Sequence, residues 1–386
     1  MENHVSCFWK EPEAPQPYRT GVSLHSHTNH SKETLGFIGE FIDRHAILRK
    51  ALAAEKRRAA RTSSTSVDLH RAYWTPPLPP LAAFELEKAQ IEQELSLASM
   101  VSITDHDTIG APMLLRVVPD ARRVPVSVEW TIPYRDAEFH LGVHNLPSDH
   151  AEEIMQWLQK YTLNPNAARL TELLRFLSAN KDILVVLNHP LWDLAHIGRE
   201  RHAWMLGNLL RDEGQYLHAL ELSGIRSWEE NQEVRKLADS WNQMVISGGD
   251  RHGCEPNATL NLTDAESFTE FVHEIRRDRR SHVLFMPQYN EPNTLRVLQT
   301  VLAVIRDYPD YSSGSRRWDE RVFHPDRNGV ISPLSTLWKR PPPYVRYFFA
   351  ALHLLEITVV RDAMRLALAR PPQSSYSLDG REEVSQ

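Results

Sequence analysis

The stretch Val22-Ser23-Leu24-His25-Ser26-His27 lies near the N-terminus and joins apolar residues to a His-x-His pair. Alternate residues of a β-strand point to the same side of a sheet, so a strand here would present two imidazoles to one side. Neutral imidazole binds zinc, manganese and iron well. The chain has 19 His in 386 residues, so close pairs also arise by chance. Whether this pair indicates a metal site therefore depends on which residues lie at the ends of the later strands.

The composition is that of an ordinary globular protein, with 41% hydrophobic and 24% charged residues. A formal net charge of −6 gives no general signal for binding nucleic acid or membranes. The two cysteines, Cys7 and Cys254, cannot build a disulfide framework, which fits a reducing compartment. Residues 1–4 lack the layout of a signal peptide, and no run approaches the roughly 20 apolar residues of a membrane-spanning helix. We therefore expect a cytoplasmic protein with no membrane partner.

Most of the chain predicts strands that alternate with helices. Predicted strands cover residues 100–104, 124–129, 138–144, 182–187, 217–222, 243–247 and 281–285, and predicted helices cover 81–99, 149–161, 165–179, 201–211, 228–241, 266–278 and 293–307. Residues 1–19 are polar and punctuated by proline, so we expect an irregular lead-in. Repeated strand–helix units indicate a largely parallel sheet or barrel covered by helices.

Three further segments stand apart from this alternation. Residues 34–60 have helical periodicity, and the basic run Lys50–Arg61 within them forms either a solvated face or an arm that contacts anions or nucleic acid. Residues 63–80 are rich in Ser, Thr and Pro and are typical of a linker or long loop. An apolar helix near 344–370 is expected to pack on the barrel, with a dimer interface or a membrane-surface helix as alternatives. Residues 371–386 are expected to be disordered.

Ionisable residues recur at the predicted strand ends, where active sites of parallel α/β proteins gather. After His25 and His27, these residues are Asp105, His106, Asp107, Glu129, His140, His144, His189, Asp250, Arg251 and His252. Each has an ordinary alternative, such as a helix cap for Asp107 or a salt bridge for Glu129. Together, nitrogen and carboxylate donors without thiolate favour zinc, manganese or iron in a hydrolytic site. One ion needs three or four protein ligands, so the set implies two or three ions.

Five motifs in this order resemble those of the polymerase and histidinol phosphatase (PHP) superfamily. They are His25-Ser26-His27, Thr104-Asp105-His106-Asp107, Val128-Glu129, Asn188-His189-Pro190 and Gly249-Asp250-Arg251-His252. The resemblance covers roughly residues 20–285. It implies an α/β fold, a distorted (β/α)7 barrel of the PHP type in residues 1–290, with a helical insertion at about 38–82 and a helical C-terminal extension over 291–386. A two- or three-metal centre at the C-terminal face of the barrel would then act on phosphoesters.

The resemblance also implies a ligand set. His25, His27, Glu129 and Asp250 would hold one ion, Glu129 would bridge to a second ion held by His140 and His189, and His106 and His252 would belong to a third ion or bind phosphate. His140 fits the spacing better than His144. Lys32 stands where relatives often have an acidic ligand, so the third ion depends on a substitute such as Glu33 or His30. Lys32 could instead reach a substrate phosphate.

The predicted function is hydrolysis of a phosphomonoester, on a nucleotide or small metabolite, by a metal-activated hydroxide. Arg251 would neutralise charge on the phosphate, and Asp105, Asp107 or His252 would protonate the leaving group. The basic run favours an alternative, a phosphodiesterase or exonuclease acting on nucleic acid. A third reading is a non-catalytic scaffold that a metal stabilises, with Lys32 as its only hint. The oligomeric state does not follow from the sequence.

Overall fold

The computed structural model describes residues 1–35, 71–326 and 328–338, together with the single residues 50, 53, 57, 68, 341, 346, 362 and 365. Most of the predicted helices at 34–60 and 344–370, most of the basic run, residues 63–67, 69 and 70 of the predicted linker, and the predicted disordered tail lie outside the described residues.

The described chain alternates between strands and helices, as predicted. The strands are β1 (Glu2–Cys7), β2 (Thr20–Ser23), β3 (Glu33–Thr34), β4 (Tyr73–Trp74), β5 (Ala98–Val101), β6 (Val126–Tyr134), β7 (Ala137–Leu146), β8 (Leu184–Asn188), β9 (Ala219–Ser223), β10 (Met244–Gly248), β11 (Thr259–Thr263), β12 (Arg280–Phe285), β13 (Val322–Pro325) and β14 (Ile331–Pro333). The helices are α1 (Pro80–Glu94), α2 (Gly110–Leu115), α3 (Ala151–Leu163), α4 (Ala167–Ala179), α5 (Arg199–Glu213), α6 (Trp228–Ser240), α7 (Phe268–His273), α8 (Asn293–Ile305) and α9 (Leu334–Leu337).

The described strands form three sheets, in the orders β1-β12-β11-β2-β5, β10-β9-β8-β7-β6 and β14-β13-β4-β3. In the second sheet β8, β9 and β10 are parallel, whereas β7 is antiparallel to both of its neighbours. The helices cover the sheets with amphipathic faces. In α4, for example, Asn166 caps the N-terminus, and leucines spaced three or four residues apart are buried.

Two isolated bridges join the first and second sheets. Ser26 pairs with Arg251 just beyond β2 and β10, and His106 pairs with Glu129 between the end of β5 and β6. The amide of Asp107 donates to the carbonyl of Glu129 over 2.9 Å at the second of these seams. Strand ladders do not run continuously across either seam in the described residues. The mixed α/β fold is therefore confirmed, and the distorted (β/α)7 barrel stays a prediction.

Two strands of the first sheet were missed. The lead-in predicted for residues 1–19 contains β1, which pairs in parallel with β12 from Glu2↔Arg280 to Cys7↔Phe285. β11 lies between β2 and β12 and is antiparallel to both. Polar residues interrupt both sequences, so neither shows the apolar run of a buried strand. Within the described part of the chain, no helix combines the length and apolar character needed to cross a bilayer.

Candidate metal centre

His25 and His27 follow β2, which ends at Ser23, and do not lie on the strand. His25 has a left-handed backbone, with φ of 63°, and this conformation redirects the chain. The two imidazole rings lie 5.1 Å apart between their centres. The structure therefore brings the pair together as expected, but through a left-handed residue and not through strand alternation.

The first group of donors contains His25, His27, Glu129 and Asp250, all with side chains no more than 2% exposed. Glu129 Oε2 lies 3.0 Å from His25 Nε2 and 3.2 Å from His27 Nε2. Asp250 Oδ1 lies 3.5 and 3.4 Å from the same two nitrogens. One carboxylate oxygen from each acid therefore faces both imidazoles.

Two more groups share members with the first. The second contains His106, Glu129 and His140, and the third contains His27, Glu33, His106 and His252. Glu129 Oε1 lies 3.2 Å from His140 Nδ1, and Glu33 Oε2 lies 3.2 and 3.1 Å from the Nε2 atoms of His106 and His252. Because Glu129, His27 and His106 each belong to two groups, the three groups form one continuous cluster.

Several of these atoms are buried without a hydrogen-bond partner among the described residues. They are Nε2 of His25, Nε2 of His27, Oε2 of Glu129 and Oδ2 of Asp250. An unsatisfied buried polar atom is unfavourable by about 1–3 kcal/mol, and more when it is charged. A divalent cation held by the first group would satisfy the two imidazole nitrogens and Oε2 of Glu129 together. Nitrogen and carboxylate donors of this kind fit zinc, manganese or iron.

The charges of the cluster are mutually stabilising. Burial alone lowers the pKa of His25, but Glu129, Glu221 and Asp250 raise it well above its usual value. Burial favours the neutral form of Glu129, yet neighbouring histidines, His25 first, hold its pKa well below the usual range. Burial also lowers the pKa of His106, but the nearby carboxylates, chiefly Glu33, raise it to about 10. The Glu129 carboxylate is therefore ionised, which is the form that binds a cation, and a bound cation would displace the protons that the same contacts favour on His25 and His106.

His189 and His140 adjoin each other, and His144 is separate. His189 Nε2 lies 3.1 Å from Glu129 Oε1 and 3.3 Å from His140 Nδ1. The Nδ1 atom of His144 instead lies 2.9 Å from the Ser102 hydroxyl, and burial lowers its pKa to about 3. Because β7 is antiparallel to β8, His140 pairs with Asn188 at the carboxyl end of β8, while His144 pairs with Leu184 at the other end.

Glu33 provides the acidic donor that the sequence placed in doubt. Its carboxylate contacts His106 and His252, and the Ser31 hydroxyl donates to it over 2.5 Å. Lys32 is exposed, with its ammonium 5.5 Å from the centre of the Tyr73 ring. His30, the other expected substitute, belongs to none of the three groups. The departure at Lys32 therefore leaves the third group intact.

Two residues predicted to act on the substrate have structural contacts instead. The Arg251 side chain is 4% exposed, and its guanidinium donates to Glu87 and to the carbonyls of Gly253 and His27. Asp105 is fully buried and accepts hydrogen bonds from the amide and hydroxyl of Thr28, and burial raises its pKa. Both fix the backbone around His27 because their polar atoms are occupied there.

Asp107 also has a backbone role. Its carboxylate accepts from the amide of Thr131, and its own φ is 52°. It therefore supports the middle of β6 and is not the helix cap considered from the sequence, since the residue at the cap position of α2 is Ile109. The general-acid role considered for Asp107 stays a prediction.

Glu221 was missed. It lies in the middle of β9, fully buried, and its Oε2 is 2.5 Å from His25 Nδ1. A lone carboxylate in the apolar run Ala219–Ser223 was the available signal, because a buried acid requires a partner.

Arg226, on the loop after β9, was also missed. Its guanidinium lies 3.8 Å from the centre of the Trp192 ring, which is 5.0 Å from that of His189.

These features define a mixed α/β protein with a buried cluster of His, Glu and Asp that could hold metal ions. No family model and no curated protein matches the sequence.

Solved structures with some likeness include PsfC from Pseudomonas syringae PB-5123, at 14% identity and a TM-score of 0.40, covering 74% of this chain and 97% of that chain. An amidohydrolase from Chromobacterium violaceum, solved with sulfate and without metal, has 15% identity and a TM-score of 0.31, with coverages of 46% and 83%. A candidate metal-dependent phosphoesterase from Bifidobacterium adolescentis has 14% identity and a TM-score of 0.31, with coverages of 51% and 89%. Likeness at this level assigns neither a family nor an activity.

Proposed function

We propose that the protein is a metal-dependent phosphoesterase that hydrolyses a phosphomonoester of a nucleotide or small metabolite. The observation that carries this proposal is the sharing of His27, His106 and Glu129 between three donor groups. Shared ligands hold ions close together, and paired divalent ions are typical of phosphate-ester hydrolysis. The motif order that resembles the PHP superfamily supports the same function and a distorted (β/α)7 barrel.

The three groups give a proposed assignment of ligands. The first ion would be held by His25, His27, Glu129 and Asp250, and the second by Glu129, His106 and His140, with His189 adjacent. The third would be held by His27, Glu33, His106 and His252. When bound, such ions lower the pKa of a coordinated water and neutralise charge on a phosphate group.

The exposed fraction of the donor side chains increases from the interior of the site to its rim. The donors of the first group are no more than 2% exposed, whereas the side chains of His106, His252 and His140 are 15%, 12% and 10% exposed. A substrate phosphate would therefore approach from the rim. The Nδ1 atom of His252 lies 2.9 Å from the carbonyl of Asp250, so Nε2 is the atom that faces Glu33 and can bind an ion or transfer a proton.

Arg226 replaces Arg251 as the proposed contact to the substrate phosphate. Its side chain is 21% exposed, and its Nε has no hydrogen-bond partner among the described residues. The carboxylate of Glu230 lies 3.7 Å from that nitrogen, beyond hydrogen-bond distance. A guanidinium stacked on an aromatic ring keeps its planar donors available for a phosphate.

The proposal is tested with purified full-length protein, stripped of metal and reloaded with Mn²⁺ or Zn²⁺. We expect release of phosphate from an aryl phosphate monoester and loss of at least 99% of that activity in His27→Ala and Asp250→Ala. His273→Ala, which changes a surface histidine paired with Asp182, is the matched control and should retain activity. Metal-loaded protein that is inert towards a broad monoester panel contradicts the proposal. Cleavage of labelled oligonucleotides without monoesterase activity would point to the nucleic-acid alternative.

A further inference from the structure

The third sheet joins parts of the chain that are far apart in sequence; we call β3, β4, β13 and β14 the small sheet. Its strand β3 carries Glu33, which pairs with Trp74 of β4. Trp74 also pairs with Val322 of β13, which lies in the C-terminal segment beyond residue 290. The small sheet therefore connects a donor of the third group to the C-terminal segment.

Side-chain contacts strengthen this connection. The rings of Tyr73 and Phe323 are stacked, with centres 4.9 Å apart and planes at 13°. The amide of Thr75 donates to the carbonyl of Arg321 over 2.9 Å. Arg321 is only 1% exposed. Its guanidinium donates to backbone carbonyls of residues 304, 306 and 315, so the segment before β13 is itself fixed.

Glu33 depends on this support more than the other donors of its group do. His27, His106 and His252 follow β2, β5 and β10, which are strands of the two large sheets. Glu33 lies on a two-residue strand whose one neighbour in the small sheet is β4. Short strand pairs are marginally stable alone, so β3 and β4 need the third strand, β13. Trp74 also packs beside the rim, with its ring 5.7 Å from that of His252.

We infer that Phe323 and the strand that carries it position Glu33, so that the third donor group is complete only when the C-terminal segment pairs with β4. Phe323 is a positioning residue because it acts through Tyr73 and touches none of the donors in the described contacts. The inference rests on the metal centre of the proposed function. The C-terminal segment would then affect how tightly the third donor group binds its ion.

The test is metal binding by the full-length chain, measured by elemental analysis and by titration of metal-free protein with Mn²⁺. Wild-type protein should bind three ions. Phe323→Ala should bind the third ion about tenfold or more weakly, a loss typical of residues that support metal ligands, and keep the other two. Glu33→Gln should weaken the same ion, and Phe323→Tyr should restore wild-type binding because it keeps the stacked ring. Phe176→Ala is the matched control, since it removes a ring contact with Trp157 on α3 and α4.

The outcomes separate the inference from the proposed function. Third-ion affinity in Phe323→Ala equal to that of wild type overturns the inference, and so does a wild-type chain that binds only two ions. A wild-type chain that binds less than one ion overturns the proposed function as well. If circular dichroism shows that Phe323→Ala is unfolded, Phe323→Leu takes its place, because it keeps an apolar side chain and removes only the ring stacking.

Discussion

The Nδ1 atom of His25 lies 2.5 Å from Oε2 of Glu221, and both side chains are no more than 2% exposed. This contact fits donation of the Nδ1 proton to the carboxylate, which leaves Nε2 to face Glu129 and Asp250. A carboxylate behind a ligating imidazole fixes the tautomer and the ring orientation and makes the nitrogen a better ligand. Glu221 therefore belongs to the metal centre although it is not a donor in any of the three groups.

Glu221→Gln is expected to weaken the first ion about 10- to 100-fold, because the amide keeps the size of the side chain and loses its charge. Competition with a metallochromic chelator measures this affinity directly. Glu213→Gln, a buried carboxylate bonded to Thr171, is the control and should bind metal as wild type does. Unchanged affinity in Glu221→Gln would show that the contact does not support the ligand.

Glu129→Gln and His140→Ala should differ in how many ions they lose. Glu129 belongs to two donor groups and His140 to one. We expect Glu129→Gln to lose both the first and the second ion, and His140→Ala to lose only the second. Elemental analysis of reloaded, desalted protein gives the counts. Equal losses in the two variants would contradict the proposed sharing of Glu129.

Arg251 and Arg226 should respond differently to substitution by Met. Arg251→Met removes the cation beside the buried Glu87 carboxylate and leaves only the hydrogen bonds that Ser23, Ser26 and the Asn257 amide donate to it. We therefore expect the free energy of unfolding in urea to fall by about 3–5 kcal/mol. Arg226→Met should change that free energy less and lower kcat/KM for the phosphomonoester at least tenfold. Arg201→Met is the control, because Arg201 makes the same kind of stack, on Trp204, next to a surface pair with Asp136. A fully active Arg226→Met protein would rule out the phosphate contact.

His218 should make the folded protein less stable in mild acid. Its Nδ1 accepts from the amide of Val185 at 2.8 Å, and burial lowers its pKa to about 3. The unfolded chain has a histidine pKa of about 6.5, so it takes up a proton below that pH while the folded state does not. Stability is therefore lost as the pH falls below about 6.5, by up to about 1.4 kcal/mol per pH unit.

Urea unfolding of metal-free protein between pH 7 and pH 5 measures this loss. His218→Gln should flatten the pH dependence because glutamine does not titrate, and His150→Gln at an exposed position is the control. Identical slopes for wild type and His218→Gln would contradict the assignment to His218.

The sequence predicted most of the helices and the apolar strands, since their periodicity depends on neighbouring residues. β8, with the run Leu184–Asn188, is an example, because every residue in it is buried. β1 and β11 could not be predicted in this way, because their stability comes from pairing with β12, which is distant in sequence from β1. The small sheet escaped prediction for the same reason, since β4 and β13 are about 250 residues apart.

Most donors of the cluster were identified from their residue types, but their geometry was not. The spacing favoured His140 over His144 but did not settle the choice, because both lie on one face of β7 and only the antiparallel direction of that strand separates them. Arg251 was misinterpreted because its partner, Glu87, comes from α1, which no local pattern links to the site. Glu221 was missed because its role at the metal centre follows from its contact with His25, which is distant in sequence.

The central claim is a shared centre for divalent ions, and the count of bound metal tests it most directly. Full-length protein is reloaded with Mn²⁺ or Zn²⁺, desalted and analysed by mass spectrometry for metal per chain. The structure predicts at least two ions per chain in wild type and a loss of the first ion in Asp250→Ala, with the fold retained in both. Less than one ion per chain in correctly folded wild-type protein would contradict the account.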